Sequence, residues 1–200
     1  MMDDIKKVLQ EGGAVILPTE TVYGIFAQAL DQAAVRWVYQ LKKRPQAKAM
    51  NLNVASLKEI LAYSQNQPPY LEKLYRSFLP GPLTIILEAN AKVPPWINSG
   101  GRSVGFRVPR HAATLELIRE TGPLIGPSAN LSGDESGKTF SQISHNFNQQ
   151  LIGLTDDSAI SGLDSTVLDL SGGPAKILRQ GALTQADLLA AVPEIPFETR

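Results

Sequence analysis

Short apolar runs bounded by glycine and proline alternate along this chain with stretches of helical periodicity, and that alternation limits the fold more than any other feature. Ala14-Val15-Ile16-Leu17 lies between Gly12-Gly13 and Pro18 and reads as a buried strand. Leu52 to Val54, Leu83 to Leu87, Ser103 to Val108, Leu124-Ile125, Leu151 to Leu154, Thr166 to Leu170 and Ile177-Leu178 read as further strands. Helical spacing runs from Asp31 to Leu41 with Asp31 as cap, from Ser56 to Tyr63 with Ser56 as cap, and from Pro69 to Phe78, stopped by Pro80-Gly81-Pro82. Two more helices are expected. One covers Ala112 to Thr121, halted by Gly122-Pro123, and one covers Thr184 to Ala190, with Thr184 as cap and Asp187 at the third helical position. The pattern predicts an α/β fold with a twisted, mixed sheet. No internal repeat or low-complexity linker divides it, so residues 1–200 are expected to form a single domain with a core over about residues 5–190.

The composition narrows the function class. Apolar residues make up 43% and charged residues 19% of the 200, as in ordinary globular proteins. No apolar run approaches the roughly 20 residues of a membrane helix. The first residues, with Asp3 and Asp4 and no long apolar core, do not read as a signal peptide. Cysteine is absent, which rules out disulfides and thiolate metal sites and suits a reducing cytoplasm. Lysine plus arginine and aspartate plus glutamate both number 19, so bulk charge gives no grip on nucleic acid. The charge is nevertheless uneven. No acid occurs from Gln32 to Lys58, where Arg36, Lys42, Lys43, Arg44, Lys48 and Lys58 fall; a second basic stretch holds Arg102, Arg107, Arg110 and Arg119. These stretches are either solvated faces or the surroundings of an anionic ligand.

Ser132 to Thr139 imitates a phosphate-binding P-loop but departs from it. Three residues, not four, separate Gly133 from Gly137, and no strand feeds the loop directly. A lid over a ligand or a plain surface loop are the readings left.

Four segments carry candidate chemistry. In Pro18-Thr19-Glu20-Thr21-Val22-Tyr23-Gly24, the hydroxyls of Thr19, Thr21 and Tyr23 alternate, so an extended chain would present them on one side, to a small polar ligand or to solvent. In Lys42-Lys43-Arg44-Pro45, the proline drives Arg44 out of helix, and Lys42 and Arg44 can project together towards phosphates; cations favoured at a helix C-terminus are the plainer reading. Gly126-Pro127-Ser128-Ala129-Asn130 follows a strand where α/β sheets bind ligands, though its residues also suit a turn. Asp164-Ser165-Thr166-Val167, with Leu178-Arg179-Gln180-Gly181, adds hydroxyls and a cation.

Together with Leu79-Pro80-Gly81-Pro82-Leu83-Thr84 and Val104-Gly105-Phe106-Arg107-Val108-Pro109, these segments resemble, in order and over nearly the whole chain, the Sua5/YrdC/TsaC family of threonylcarbamoyl-AMP synthases. The resemblance implies a twisted sheet around a large basic cavity. It also implies an activity: threonine and bicarbonate give N-carboxythreonine, whose carboxylate attacks the α-phosphate of ATP, with Mg²⁺, to yield threonylcarbamoyl-AMP and pyrophosphate. Other proteins then pass the threonylcarbamoyl group to an adenosine of tRNA. By the family pattern Lys42 and Arg44 are catalytic; Thr21, Asn53, Arg107 and Ser165 hold threonine; and Arg44, Lys48, Ser103, Ser128, Asn130, Lys138 and Arg179 lie near the nucleotide. No protein-bound metal is expected. The length resembles the family's short form. Departures fall at Ala49, where the family often has Pro, at Asn53, where some members have His, and at Asp164 and Gln180, where Glu and Pro are usual; Ser136 to Thr139 and Asp156 to Ser158 also lack the family's usual Pro and Gly pair. A non-catalytic double-stranded-RNA-binding module is the competing reading, and a carbamoyl-adenylate enzyme with a different amine or carbamoyl donor is another. The neutral charge and the lack of aromatic residues clustered with the basic ones weigh against the RNA module.

Overall fold

A computed structural model describes residues 1–198. Seven helices of the described chain are α1 (Met2–Gln10), α2 (Gln32–Leu41), α3 (Leu57–Tyr63), α4 (Leu71–Phe78), α5 (Ala112–Thr121), α6 (Phe140–Asn146) and α7 (Gln185–Ala191). The strands are β1 (Ala14–Leu17), β2 (Gly24–Gln28), β3 (Asn51–Asn53), β4 (Leu83–Glu88), β5 (Ser103–Arg107), β6 (Leu124–Ile125), β7 (Thr166–Asp169) and β8 (Lys176–Arg179). They form one eight-stranded sheet in the order β1-β2-β6-β3-β5-β4-β7-β8. The β3–β5 and β4–β7 pairs are parallel and the others antiparallel, so the sheet is mixed, as the alternation predicted.

Local chemistry sets the element ends. Asp31 accepts from the amides of Ala33 and Ala34 and starts α2. Ser56 accepts from Glu59 N to start α3, and Thr184 and Asp187 cap each other's amides to start α7. Helix α2 ends as a helix commonly does, with Lys43 in the left-handed region at φ 49°.

Strand β1 is buried on both faces. Val15 and Leu17 pack with Ile5 and Leu9 of α1 and Leu117 and Ile118 of α5. Ile16 belongs to the larger core on the other side, with Ala34, Val35 and Val38 of α2. Removing each such aliphatic side chain from water contributes about 1.5–3 kcal/mol, so layers of helix press the sheet from both sides.

Three elements escape the sequence reading: α1, β2 and α6. β2 opens with the glycine of the polar Thr19–Gly24 run and continues as Ile25-Phe26-Ala27, too short an apolar run to separate from a loop. β3 covers Asn51–Asn53 and thus sits one residue earlier than predicted. Leu151 to Leu154 forms no strand. It lies along the outer edge of β1 through a single bridge, with Ile16 N donating to Ile152 O and Leu154 N to Ile16 O. Gly153 makes that approach possible, since a Cβ there would stand 2.1 Å from Ile16 O.

Candidate active site

Strand ends and loops from across the sheet border a cavity that opens to solvent at its mouth. Thr19, Asn53, Thr84 and Ser165, all almost fully buried, line it with Arg107. Gly24, Gly126, Pro127 and Ser128 form one wall; Arg44, Asp164 and Arg179 supply the remaining charges. Cavity cations outnumber cavity anions, matching the basic cavity expected.

Arg107 occupies the last position of β5. One of its terminal nitrogens donates to Glu20 Oε1 and to Thr21 Oγ1, both at 2.8 Å. Glu20 Oε2 accepts from the Arg110 amide at 2.8 Å, which fixes the carboxylate. The Arg107 Nε is buried and has no hydrogen-bond partner among the described residues.

The Thr19–Tyr23 segment is not the extended ladder that its alternation suggested. Thr19 Oγ1 donates to Val22 O at 2.6 Å and accepts from the amides of Thr21 and Val22, which curls the chain into a turn. That commits the Thr19 proton, so Thr21 Oγ1 donates to Thr19 Oγ1 at 2.9 Å and accepts from Arg107. Thr21 therefore orients Arg107 and lies outside the cavity wall. Tyr23 lines the cavity too, and its hydroxyl donates to Asp157 at 2.6 Å and accepts from Asp156 N at 2.9 Å. Burial first, and then the hydrogen bond from Tyr23 to Asp157, pushes the phenol well above its ordinary range.

Ser165 and Thr84 share a hydroxyl–hydroxyl contact of 3.0 Å between neighbouring parallel strands. Arg179 reaches across to the Ser165 hydroxyl at 3.0 Å and to its carbonyl at 3.0 and 3.1 Å, and lies 3.7 Å from Asp164. Gly181 allows this closeness; a Cβ there would fall 2.3 Å from Asp164 O.

The expectation that Lys42 and Arg44 project together is corrected. Lys42 caps α2 in helical geometry rather than at an extended exit, and it is 1% exposed. Its ammonium donates to the carbonyls of Ser128 and Asn130, behind the cavity wall. Burial, and secondarily the nearby Arg44 charge, lowers its pKa to about 8. Arg44 does face the cavity, held by the carbonyls of Lys48 at 3.1 Å and Ala49 at 2.8 Å.

The remaining predicted residues divide. Asn53 and Ser128 line the cavity. The Asn130 amide is spent on Leu131 O and Asp134 O, at 3.0 and 2.7 Å, and does not line it. Lys48 and Lys138 are exposed and lie off the wall. Ser103 opens β5 four residues before Arg107, roughly 13 Å along a strand, and is likewise off the wall. Sequence reasoning missed Glu20 and Thr84 as working residues. Both stand inside motifs it singled out, but their partners lie 87 and 81 residues away.

The fold is an α/β sheet bordering a polar cavity whose charged lining is three arginines and one aspartate. Residues 7–181 match the Sua5/YciO/YrdC family model, described as telomere recombination, and the chain belongs to that family. It is 34% identical over 189 residues to the threonylcarbamoyl-AMP synthase of Pyrococcus abyssi, covering 94% of this chain and 56% of that protein. It is 33% identical over 191 residues to the threonylcarbamoyl-AMP synthase of Bacillus subtilis, covering 94% and 55%. The crystal structure of P. abyssi Sua5 complexed with L-threonine superposes with a TM-score of 0.91 at 33% identity, over 98% of this chain and 58% of that one. The chain thus spans about half the length of these curated relatives.

Proposed function

We propose that this chain is a threonylcarbamoyl-AMP synthase acting on L-threonine, bicarbonate and ATP. The observation that carries the reading is Arg107 on the wall of a polar cavity, in a chain that superposes on a relative complexed with threonine. A guanidinium held by Glu20 and Thr21 is pre-set to receive a carboxylate, and Asn53, Thr84 and Ser165 offer an amide and hydroxyls beside it.

Threonine nitrogen and bicarbonate combine, with loss of water, to N-carboxythreonine. A carbamate oxygen then attacks the α-phosphorus of ATP, a new P–O bond forms, and the bond to the β-phosphate oxygen breaks to release pyrophosphate. A carbamate is a weak and short-lived nucleophile, so the protein's contribution is orientation and charge neutralisation. Arg107 holds the amino-acid carboxylate; Arg44 and Arg179 oppose the triphosphate; Ser128 lies on the nucleotide side. No covalent intermediate on the enzyme is required.

Mg²⁺ belongs to this reading as the companion of ATP. Among the described residues no group of three or more His, Asp or Glu could hold a metal, and the cavity carboxylate Asp164 faces Arg179, as Glu20 beside the cavity faces Arg107. The ion would be carried on phosphate oxygens and water, and no step is assigned to it. Transfer of the product to tRNA, by further proteins of the cytoplasm, completes the reading; among the described residues no helix is long and apolar enough to cross a membrane.

Pyrophosphate release from ATP and Mg²⁺, with and without threonine and bicarbonate, tests the assignment. Release that needs both co-substrates is expected. Folded protein that releases none, and instead retains double-stranded RNA, would replace it with the binding-module reading.

A further inference from the structure

Lys42 is a buried lysine whose side chain faces only protein. Its Nζ donates to Ser128 O at 2.5 Å, to Asn130 O, and to Asn130 Oδ1 at 3.4 Å. An ammonium has three protons; two go to these carbonyls and the third faces Asn130 Oδ1, so the group is turned toward protein rather than toward a phosphate. The Lys42 carbonyl accepts from Ser132 N at 2.9 Å, so one residue holds both flanks of Asn130. Asn130 completes the knot: its Oδ1 accepts from Ser128 Oγ at 2.5 Å, and its amide nitrogen holds Leu131 O and Asp134 O.

We infer that Lys42 and Asn130 clamp the Gly126–Asn130 wall of the cavity, so that Lys42 acts on the nucleotide through backbone it positions and does not touch phosphate. The inference rests on the synthase reading. It follows from carbonyl geometry. Ser128 O and Asn130 O converge on one buried ammonium, and two carbonyls brought that close together need a shared donor. Burying a charge for packing alone is unfavourable against a methionine of similar shape, so the ammonium is explained by the carbonyls it satisfies. Ser128, whose hydroxyl is locked to Asn130, is the clamped residue that lines the cavity.

The test compares Lys42→Met with wild type and with Arg44→Ala, titrating AMP, α,β-methylene-ATP and pyrophosphate by calorimetry. Amide hydrogen exchange is followed over residues 126–132 in the free protein. A clamp predicts that Lys42→Met weakens AMP and α,β-methylene-ATP by the same factor, about tenfold or more, and leaves pyrophosphate binding as in wild type. It also predicts faster exchange over 126–132 before any ligand is added. Arg44→Ala should weaken the triphosphate analogue and pyrophosphate more than AMP. Loss in Lys42→Met confined to pyrophosphate and the triphosphate analogue, or unchanged exchange over 126–132, would overturn the clamp. Should Lys42→Met not fold, Asn130→Ala carries the same two expectations. Wild-type protein that binds none of the three probes would sink the synthase reading, while the exchange measurement still decides the clamp.

Discussion

Arg107 and Glu20 form an ion pair at 2.8 Å with side chains only 12% and 9% exposed, and they join the end of β5 to the turn after β1. Removing one member leaves the other charge buried and uncompensated, which costs about 3–5 kcal/mol. Glu20→Ala should therefore lower the urea midpoint sharply. In an Arg107→Met background the same substitution should cost about 2 kcal/mol less, a coupling that a double-mutant cycle reads directly. Equal costs in both backgrounds would mean that the pair is not coupled.

Arg44 and Arg179 line the cavity from opposite ends of the sequence and are held by carbonyl oxygens, not by core packing. Arg44→Ala and Arg179→Ala should each slow pyrophosphate release by roughly a hundredfold. Thermal unfolding midpoints should stay within a few degrees of wild type. Normal release by either variant would remove that arginine from the site.

Lys42 titrates near pH 8 when folded, against an ordinary value of 10.5. Below pH 8 both the folded and the unfolded lysine are protonated, and its contribution to stability is flat. Between about 8 and 10.5 the unfolded chain binds more protons than the folded one, so stability rises with pH across that window. The difference in unfolding free energy between wild type and Lys42→Met should therefore grow in favour of wild type from about pH 8 to about pH 10. A falling difference would show that Lys42 keeps its proton more tightly when folded.

Gly181 touches the site through its missing side chain. A Cβ would lie 2.4 Å from Ser165 C and 2.5 Å from Thr166 N, so Gly181→Ala must push the Ser165 strand away from Arg179. A loss of about 1–3 kcal/mol is expected, together with slower turnover. Gly172→Ala meets nothing within 4 Å and is the control, expected to match wild type in turnover. Matching stability in both would contradict the packing around Ser165.

Much of this was legible in the residues. Helix α5 ends at Thr121 because Gly122-Pro123 cannot continue it, and α7 starts where Thr184 and Asp187 complete each other's hydrogen bonds. Those are local signals, readable within four residues. Thr19–Tyr23 misled because alternation implies extension only when no side chain competes for the backbone, and the Thr19 hydroxyl does compete. The side of the wall that Lys42 occupies was not legible at all. Its acceptors lie 86 and 88 residues downstream, and only the closed fold brings them to the end of α2. The family pattern singles out Arg107, which stands on the cavity wall, whereas Glu20, which aims it, was hidden by the same long separation.

The contact between Thr84 and Ser165 has a consequence for how the chain is made. The two hydroxyls belong to parallel strands 81 residues apart, and the outer edge of β1 likewise waits for Ile152 and Leu154. A ribosome adding about 5–20 residues per second takes about 4–16 s to cover the first interval. Until then the nascent chain has an unfinished sheet, bare at β4 and at first also at β1, and lacks part of its cavity lining. No ligand of the cavity can help it fold until β7 has emerged, so a polypeptide released before Thr166 should go to chaperones and proteases and not persist as a partly folded protein.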